Sequence, residues 1–459
     1  EKMNKEGSKP FLWITHESIK DPLKVPLKKI SKKNPLTKET LVTYCMTSKR
    51  IRLLEKQFHL KNIFFTVDDT LVDIKRVTPE STLLLQGQQV EEEKIIPDGM
   101  TIDSVPRVAI YYDAFMQKHD DPDGDPHPEC PQRIKQIMDD LNDLGYLRFC
   151  VQPAITKVTK EVLQLIHDHD YIDYVFDQKW DAIDNFIEEE VYINDDSVEC
   201  AKLAAGAVVN AIDAIYKKEI DTALCIIRPP GHHAEYDYPK GFCFFNNIAV
   251  AAAYAQSQYD VNRVCIIDWD VHHGNGTQHL FENNDQVFYI SSHRYGNGYY
   301  PGTGSLDEIG EGKGKGFNMN IPFEGEYGSA ELYQCFFQLI APVLFEFQPQ
   351  LILVSAGYDT VEKDLLGGCL VQPPAFGFLT SFLQQLSVTL SAKFMLALEG
   401  GYHLRQTSAC VQSTLRALLS FPLRPLPKNK TTSISSAHQD VLNAVKKELS
   451  PYWSCFHSK

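Results

Sequence analysis

Asp270, His272 and Asp359 are the residues of this chain whose types and surroundings point most directly to chemistry. Asp270 and His272 stand two apart in Asp268-Trp269-Asp270-Val271-His272-His273-Gly274-Asn275, so in an extended segment they face the same side. With Asp359, from Ala356-Gly357-Tyr358-Asp359, they offer one imidazole nitrogen and two carboxylates. That donor set suits Zn2+, or Fe2+, with one position left open for water, and water on such an ion loses a proton near neutral pH. The alternative for the first motif alone is a polar strand end that caps a helix. His232 and His233 follow Arg228-Pro229-Pro230-Gly231, a turn stiffened by two prolines. Imidazoles held in a rigid loop, titrating near neutrality, are suited to moving protons. Asp268 can orient one of them and Asn275 can hydrogen-bond the other. Tyr402, after Glu399-Gly400-Gly401, can donate its hydroxyl to a developing oxyanion. These roles together amount to metal-assisted hydrolysis of an amide.

Most of these groups follow an apolar run of strand length. Residues 223–227, 264–267, 351–355 and 394–398 lead into Arg228, Asp268, Ala356 and Glu399, and residues 108–112 and 287–291 have the same composition. Apolar residues recur at helical spacing over 134–144 and 439–449, and residues 198–215 form an Ala-rich helix. Strands alternating with helices predict an α/β fold, a doubly wound, mainly parallel sheet with helices on both faces. Ligands gather at the carboxyl ends of the strands of such a sheet. Two further short strands are expected toward the C-terminal end, and Tyr452-Trp453 should pack back onto the domain. Arg133, beside Pro131 in a rigid loop, either caps the surface or contacts a buried anion. Gly241 leaves room for a ligand and Phe242 can form an apolar wall.

Residues 1–104 differ from the remainder of the chain. Lys24, Lys28, Lys29, Lys32, Lys33 and Lys38 fall among prolines, which fits a solvated loop better than an import signal. Short strands are expected at 62–67 and 82–86 and a helix over 41–60. A polar linker over 91–103, with Pro97 and Gly99, marks a boundary before a domain at 105–456. No catalytic pattern lies before that boundary, so these residues are expected to regulate or dock. The chain has 459 residues, which suits one large α/β domain and something smaller. The net charge of -15 argues against non-specific nucleic-acid binding and favours basic peptides as partners. The 11 cysteines are scattered with no C-x-x-C, as in proteins that keep reduced thiols. No apolar run reaches the ~20 residues that would span a membrane.

The motifs RPPGHHAE, GFCFFNN, DWDVHHGNGTQH, YYPGTG, AGYD, LGG and LEGGY occur in the order found in zinc-dependent histone deacetylases, which the chain resembles over residues 106–455. HPECPQRI and DWDVHHGNGTQHLFE are most similar to the class II branch, particularly to catalytic domains of the tubulin-deacetylase type. The resemblance implies the arginase–deacetylase fold and Zn2+ at Asp270, His272 and Asp359. It implies His233 as principal base and acid, His232 as its electrostatic partner beside Asp268, and Tyr402 as the group that polarises the acetyl carbonyl. Phe242 and Tyr300 would flank an acyl-lysine tunnel, the Gly241 carbonyl would line the inner pocket, and Arg133 would sit near an inner acetate cavity. A structural K+ would lie among Asp268, Asp270, His272 and Ser291, and a second monovalent ion near backbone oxygens of Phe281, Val287 and Phe317.

The implied substrates are acetylated lysines of histone tails or other proteins such as tubulin, in the nucleus, the cytoplasm or both, with corepressor-type partners. Two departures stand out. Tyr300 replaces the usual Phe, and Asp364-Leu365-Leu366-Gly367 lacks the usual Pro after Asp. Leu366 stands where polyamine-selective deacetylases of this fold place Glu, so an acetylpolyamine substrate is the less favoured reading. A binuclear manganese enzyme of the arginase type would need carboxylates where Gly274 and Val361 stand. A weakly active acetyl-lysine-binding scaffold of the class IIa kind would carry His in place of Tyr402.

Overall fold

The computed structural model describes residues 101–124, 126–179, 191–423 and 434–457, and the backbone of three strands at 12–16, 60–67 and 70–73. Those three strands, β1 (Leu12–His16), β2 (Leu60–Val67) and β3 (Thr70–Asp73), form an antiparallel sheet in the order β1-β2-β3. β2 meets the strand expected at 62–67, whereas β1 and β3 were not anticipated. Leu60, expected to end a helix, begins β2 instead, and the rest of that helix and the strand at 82–86 lie outside the described residues.

The second sheet holds β4 (Val108–Tyr111), β5 (Cys150–Val151), β6 (Thr222–Cys225), β7 (Val264–Asp268), β8 (Val287–Tyr295), β9 (Asn318–Glu324), β10 (Leu351–Ala356) and β11 (Lys393–Leu398). Its order is β5-β4-β6-β11-β10-β7-β8-β9 and every pairing is parallel. Every residue of β4, β6, β7 and β10 is buried, so the apolar side chains on both faces are covered. This is why these strands read as unbroken apolar runs instead of alternating ones. Parallel pairing requires crossovers, supplied by helices such as Ser197–Tyr216, Asn247–Tyr259 and Pro373–Leu390.

Register sets the site. Asp268, the last residue of β7, pairs with Ser355 of β10 on one side and Ser291 of β8 on the other. Ala356 pairs with Leu398 of β11. The carboxyl ends of β11, β10, β7 and β8 therefore lie side by side, and the loops that leave them meet.

Two corrections concern strands. β9 was missed because Asn-Met-Asn-Ile-Pro-Phe-Glu lacks a strand signature. It is the edge of the sheet, where Pro322 is tolerated, and its buried Asn318 and Asn320 donate to Gln278 Oε1 at 2.9 and 2.7 Å. No strand follows Leu398 among the described residues, so the two expected toward the C-terminal end are absent there; the helix Ser436–Leu449 occupies much of that stretch. Trp453 does pack back, stacked on Phe288 at 5.1 Å and donating from Nε1 to the Gly316 carbonyl at 2.6 Å, while Tyr452 is exposed.

Candidate active site

After Asp268 the chain bends; it does not run on as strand. The Asp270 amide donates to Asp268 Oδ1 at 3.1 Å and the His272 amide to Asp270 Oδ1 at 2.9 Å, two side-chain turns in succession. Asp270 and His272 thus converge through this bend, and the alternation of an extended segment is not the cause. Neighbouring loops are tied to it by the same carboxylates. Asp359 Oδ1 accepts from the Val271 amide at 2.8 Å, and Asp270 Oδ2 accepts from the Gly400 amide at 2.8 Å. A Cβ on Gly357 would lie 1.9 Å from Asp270 Oδ2 and one on Gly400 2.2 Å from Asp359 Oδ2, so only glycine allows this approach.

The result is a buried group in which ligand atoms of Asp270, His272 and Asp359 lie within 4.8 Å of one another. His272 Nδ1 is 3.1 Å from Asp270 Oδ1 and 3.2 Å from Asp359 Oδ2, and Asp359 Oδ2 makes no hydrogen bond of good geometry. Burial, with Asp270 nearby, pushes the Asp359 carboxyl up to about 8. Burial opposes charge on His272 too, yet the two carboxylates raise it to about 9. Crowded anions with an unsatisfied oxygen fit a cation. Among the described residues this is the one cluster able to hold a metal ion. Gly274, where a second-metal carboxylate was sought, has no space for one, since its Cβ would meet the Tyr289 hydroxyl at 2.4 Å.

The two imidazoles beside it are held differently. His232 Nδ1 lies 2.9 Å from Asp268 Oδ2, which also accepts from the Tyr289 hydroxyl at 3.0 Å. Burial disfavours a charged His232, but Asp268 and Asp270 outweigh it and raise the group to about 10. His233 Nδ1 lies 2.7 Å from Asn275 Oδ1, a neutral partner. Burial, His232 and His272 together hold His233 well below the usual imidazole range. The surroundings favour charge on one imidazole and oppose it on its neighbour, the kind of divergence that separates electrostatic and proton-transfer roles. Glu399 supports their turn, accepting from the Gly231 amide at 2.7 Å and the His232 amide at 3.2 Å.

Tyr402 is buried, and the burial pushes its phenol well above the usual range. The Arg133 guanidinium sits 5.0 Å from the Tyr402 ring and donates to the Gly401 carbonyl at 2.7 Å. Arg133 is wholly buried, so of the two readings open for it the buried anion contact holds: its anion is Glu129, at 3.0 Å. Glu129 also pairs with Arg228 at 2.7 Å.

Gly241 and Phe242 both have positive φ, +50° and +68°. A Cβ on Gly241 would lie 2.6 Å from His233 Cδ2 and 2.7 Å from the Tyr300 hydroxyl. The Phe242 ring packs edge-on at 6.0 Å from Tyr402, and Tyr300 stands edge-on at 5.1 Å from His233. Leu366 is at the surface, 37% exposed, its carbonyl accepting from the Tyr299 hydroxyl at 3.1 Å. Ser291 is buried opposite Asp268, with its hydroxyl 2.8 Å from His293 Nδ1. The Phe281 and Phe317 carbonyls each accept a backbone N–H, from Asn284 at 2.9 Å and Tyr289 at 3.0 Å.

Glu129, Arg228, Glu399, Tyr289, Tyr299, Asp364 and Glu235 have no role that follows from the sequence alone. Their signal was available only as single charged or polar residues inside otherwise apolar or glycine-rich motifs. Tyr299, next to the Tyr300 singled out for the tunnel, stacks on His272 with ring centroids 5.4 Å apart.

Known proteins resemble this chain in sequence and in fold. Residues 127–418 match the histone deacetylase domain. Histone deacetylase 5 of Arabidopsis thaliana is 39% identical over 76% of this chain and 54% of its own length. The zebrafish (Danio rerio) polyamine deacetylase HDAC10 is 35% identical over 72% of this chain and 49% of its own. The chain therefore spans about half the length of the curated relatives it matches. The crystal structure of the HDA15 HD domain superposes with a TM-score of 0.70 at 33% identity, covering 76% of this chain and 96% of that one. The eight-stranded sheet is thus that of the arginase–deacetylase fold.

Proposed function

Because this chain belongs to the histone deacetylase family and is of its class II type, we propose that it hydrolyses the acetyl amide of Nε-acetyl-lysine in proteins and releases acetate. The observation that carries the reading is the union of three features in one buried place. They are the Asp270–His272–Asp359 group, the paired His232 and His233 with opposite protonation preferences, and the Tyr402 phenol.

The donor set and the unsatisfied Asp359 oxygen fit Zn2+, which when held there would supply Lewis acidity toward an amide carbonyl and a water molecule. His233 takes the proton of the attacking water at Nε2, since its Nδ1 is engaged by Asn275, and returns it to the departing amine. His232, held cationic by Asp268, keeps positive charge beside the developing oxyanion. Tyr402 stays a phenol and donates its proton to a hydrogen bond with the carbonyl oxygen. Phe242 and Tyr300 bracket the lysine methylenes, and Gly241 leaves the space they enclose open.

Ser291 supports a bound K+. Gly304 accepts from His293 Nε2 at 2.9 Å, so the Ser291 hydroxyl donates to Nδ1 and its lone pairs remain for a cation near Asp268. Acetylated basic segments such as histone tails suit a chain of net charge -15. No helix among the described residues is long and apolar enough to cross a membrane, and we place the activity in the nucleus, the cytoplasm or both, with corepressor-type protein partners.

The second reading is an acetylpolyamine deacetylase, favoured by the likeness to HDAC10 and opposed by the uncharged Leu366. Purified protein assayed on acetyl-lysine peptides and acetylpolyamines, with metal content measured alongside, decides between them. Preference for peptide with bound zinc is expected. A higher kcat/KM on the polyamine would overturn the protein-deacetylase reading.

A further inference from the structure

We propose that Glu235 is a positioning residue for proton transfer, fixing the amide orientation of Asn275 and through it the tautomer of His233. The inference rests on the deacetylase reading and deepens it. An amide side chain has an accepting and a donating end of nearly equal size, and which end faces an imidazole decides the position of the ring proton. With the carbonyl oxygen toward His233, Nδ1 carries the proton and Nε2 keeps its lone pair. With the NH2 end toward it, Nδ1 must accept, Nε2 is protonated, and the ring has no basic nitrogen for water.

The surroundings of Asn275 choose the first arrangement. Asn275 Oδ1 lies 2.7 Å from His233 Nδ1. Asn275 Nδ2 faces two groups that only accept, a Glu235 carboxylate oxygen and the His233 carbonyl at 3.2 Å. Turning the amide over would set its carbonyl oxygen against both, inside a region where Asn275 is 1% and Glu235 6% exposed. Two acceptors held against each other at that depth, with no donor between them, are costly.

Glu235 is itself held in place. His279 Nδ1 lies 2.9 and 3.0 Å from its two oxygens, and the Glu235 carbonyl lies 2.9 Å from His167 Nδ1. The helix Asn275–Phe281, which carries both Asn275 and His279, sits so close to the preceding loop that a Cβ on Gly276 would lie 2.1 Å from the Ala234 carbonyl oxygen. The sequence has the same logic. Glu235 follows the histidine pair by two residues, and His279 follows Asn275 by four, one helical turn further on.

The test is a double-mutant cycle on an acetyl-lysine peptide, read together with the 15N shifts of the His233 imidazole. E235L removes the acceptor, and kcat should fall at least about tenfold with KM nearly unchanged. E235Q keeps an accepting oxygen and should retain most of the activity. N275D sets a second carboxylate against Glu235 and should be strongly impaired, but far less so combined with E235Q, whose amide can donate to the new carboxylate. Wild-type kcat in E235L, or an N275D loss that is the same with and without E235Q, overturns the proposal. If E235L does not fold, the N275D pair decides. The nitrogen shifts should report Nδ1–H in wild type and E235Q and a population of Nε2–H in E235L; a tautomer unchanged in folded E235L also overturns it. A wild-type protein inactive on every acetyl-lysine peptide would refute the deacetylase reading, and the shifts would still decide this inference.

Discussion

One carboxylate oxygen of Asp364 accepts the backbone N–H of Tyr402 at 2.7 Å and that of His403 at 3.1 Å. The other accepts from Leu366 at 2.9 Å and Gly367 at 3.1 Å. A single side chain thus ties the loop that carries Leu366 to the turn that carries Tyr402. Asp364→Ala should leave four N–H groups without their acceptor. Thermal unfolding should show a loss of at least about 1–3 kcal/mol, the cost of a single buried donor left unpaired, and kcat should fall as Tyr402 loses its position. A folded variant with unchanged kcat would show that the Tyr402 turn holds itself.

One catalytic divalent ion per chain is expected, from one suitable cluster among the described residues. Asp270→Asn or His272→Ala should abolish both metal retention and activity. Elemental analysis of active wild-type protein giving two tightly bound equivalents would sink this.

Tyr402→Phe should lower kcat with little effect on substrate affinity, because the hydroxyl acts as charge builds on the carbonyl oxygen. Losing one such donor typically costs about 2.7–4 kcal/mol. Steady-state kinetics showing near wild-type kcat would remove Tyr402 from this role.

Leu366→Glu should raise activity on acetylated spermidine relative to acetyl-lysine peptide, since a carboxylate at this exposed position attracts a distant ammonium. The effect should weaken as salt rises. An unchanged ratio of kcat/KM values would mean that Leu366 does not face the substrate.

Glu129→Gln should destabilise the fold by about 3–5 kcal/mol, since it leaves Arg228 and Arg133 buried without their anion. Burial opposes the Glu129 charge, but the two guanidinium groups hold its carboxyl well below the usual range. A depressed folded pKa contributes stability above the unfolded value of about 4.3 and loses it as pH falls toward the folded one. The difference between wild type and variant in chemical denaturation should therefore be full near pH 7 and shrink below about pH 4. A difference that does not change with pH would be against the charge pairing as its source.

The Asp270–His272 motif, the Asp359 motif, the histidine pair and the strands before them were legible from the sequence because each is local. An apolar run of strand length ends in a short polar motif, and parallel α/β topology requires such ends to gather on one side. Residue types alone named the donors, and the order of the motifs named the family. The bonds that hold the site were not legible. Asp364 reaches Tyr402 across 38 residues and Arg133 reaches Gly401 across 268. Side-chain bonds to backbone over such separations leave no periodicity and demand no particular spacing. Even the convergence of Asp270 and His272 came from a bend built on carboxylate–amide bonds, where alternation along a strand was expected. Which imidazole stays neutral, which arginine finds which anion and which way the Asn275 amide faces depend on burial and on partners brought from distant loops. Those are properties of the packed protein, because only there is the cost of an unpaired polar group high enough to select one arrangement.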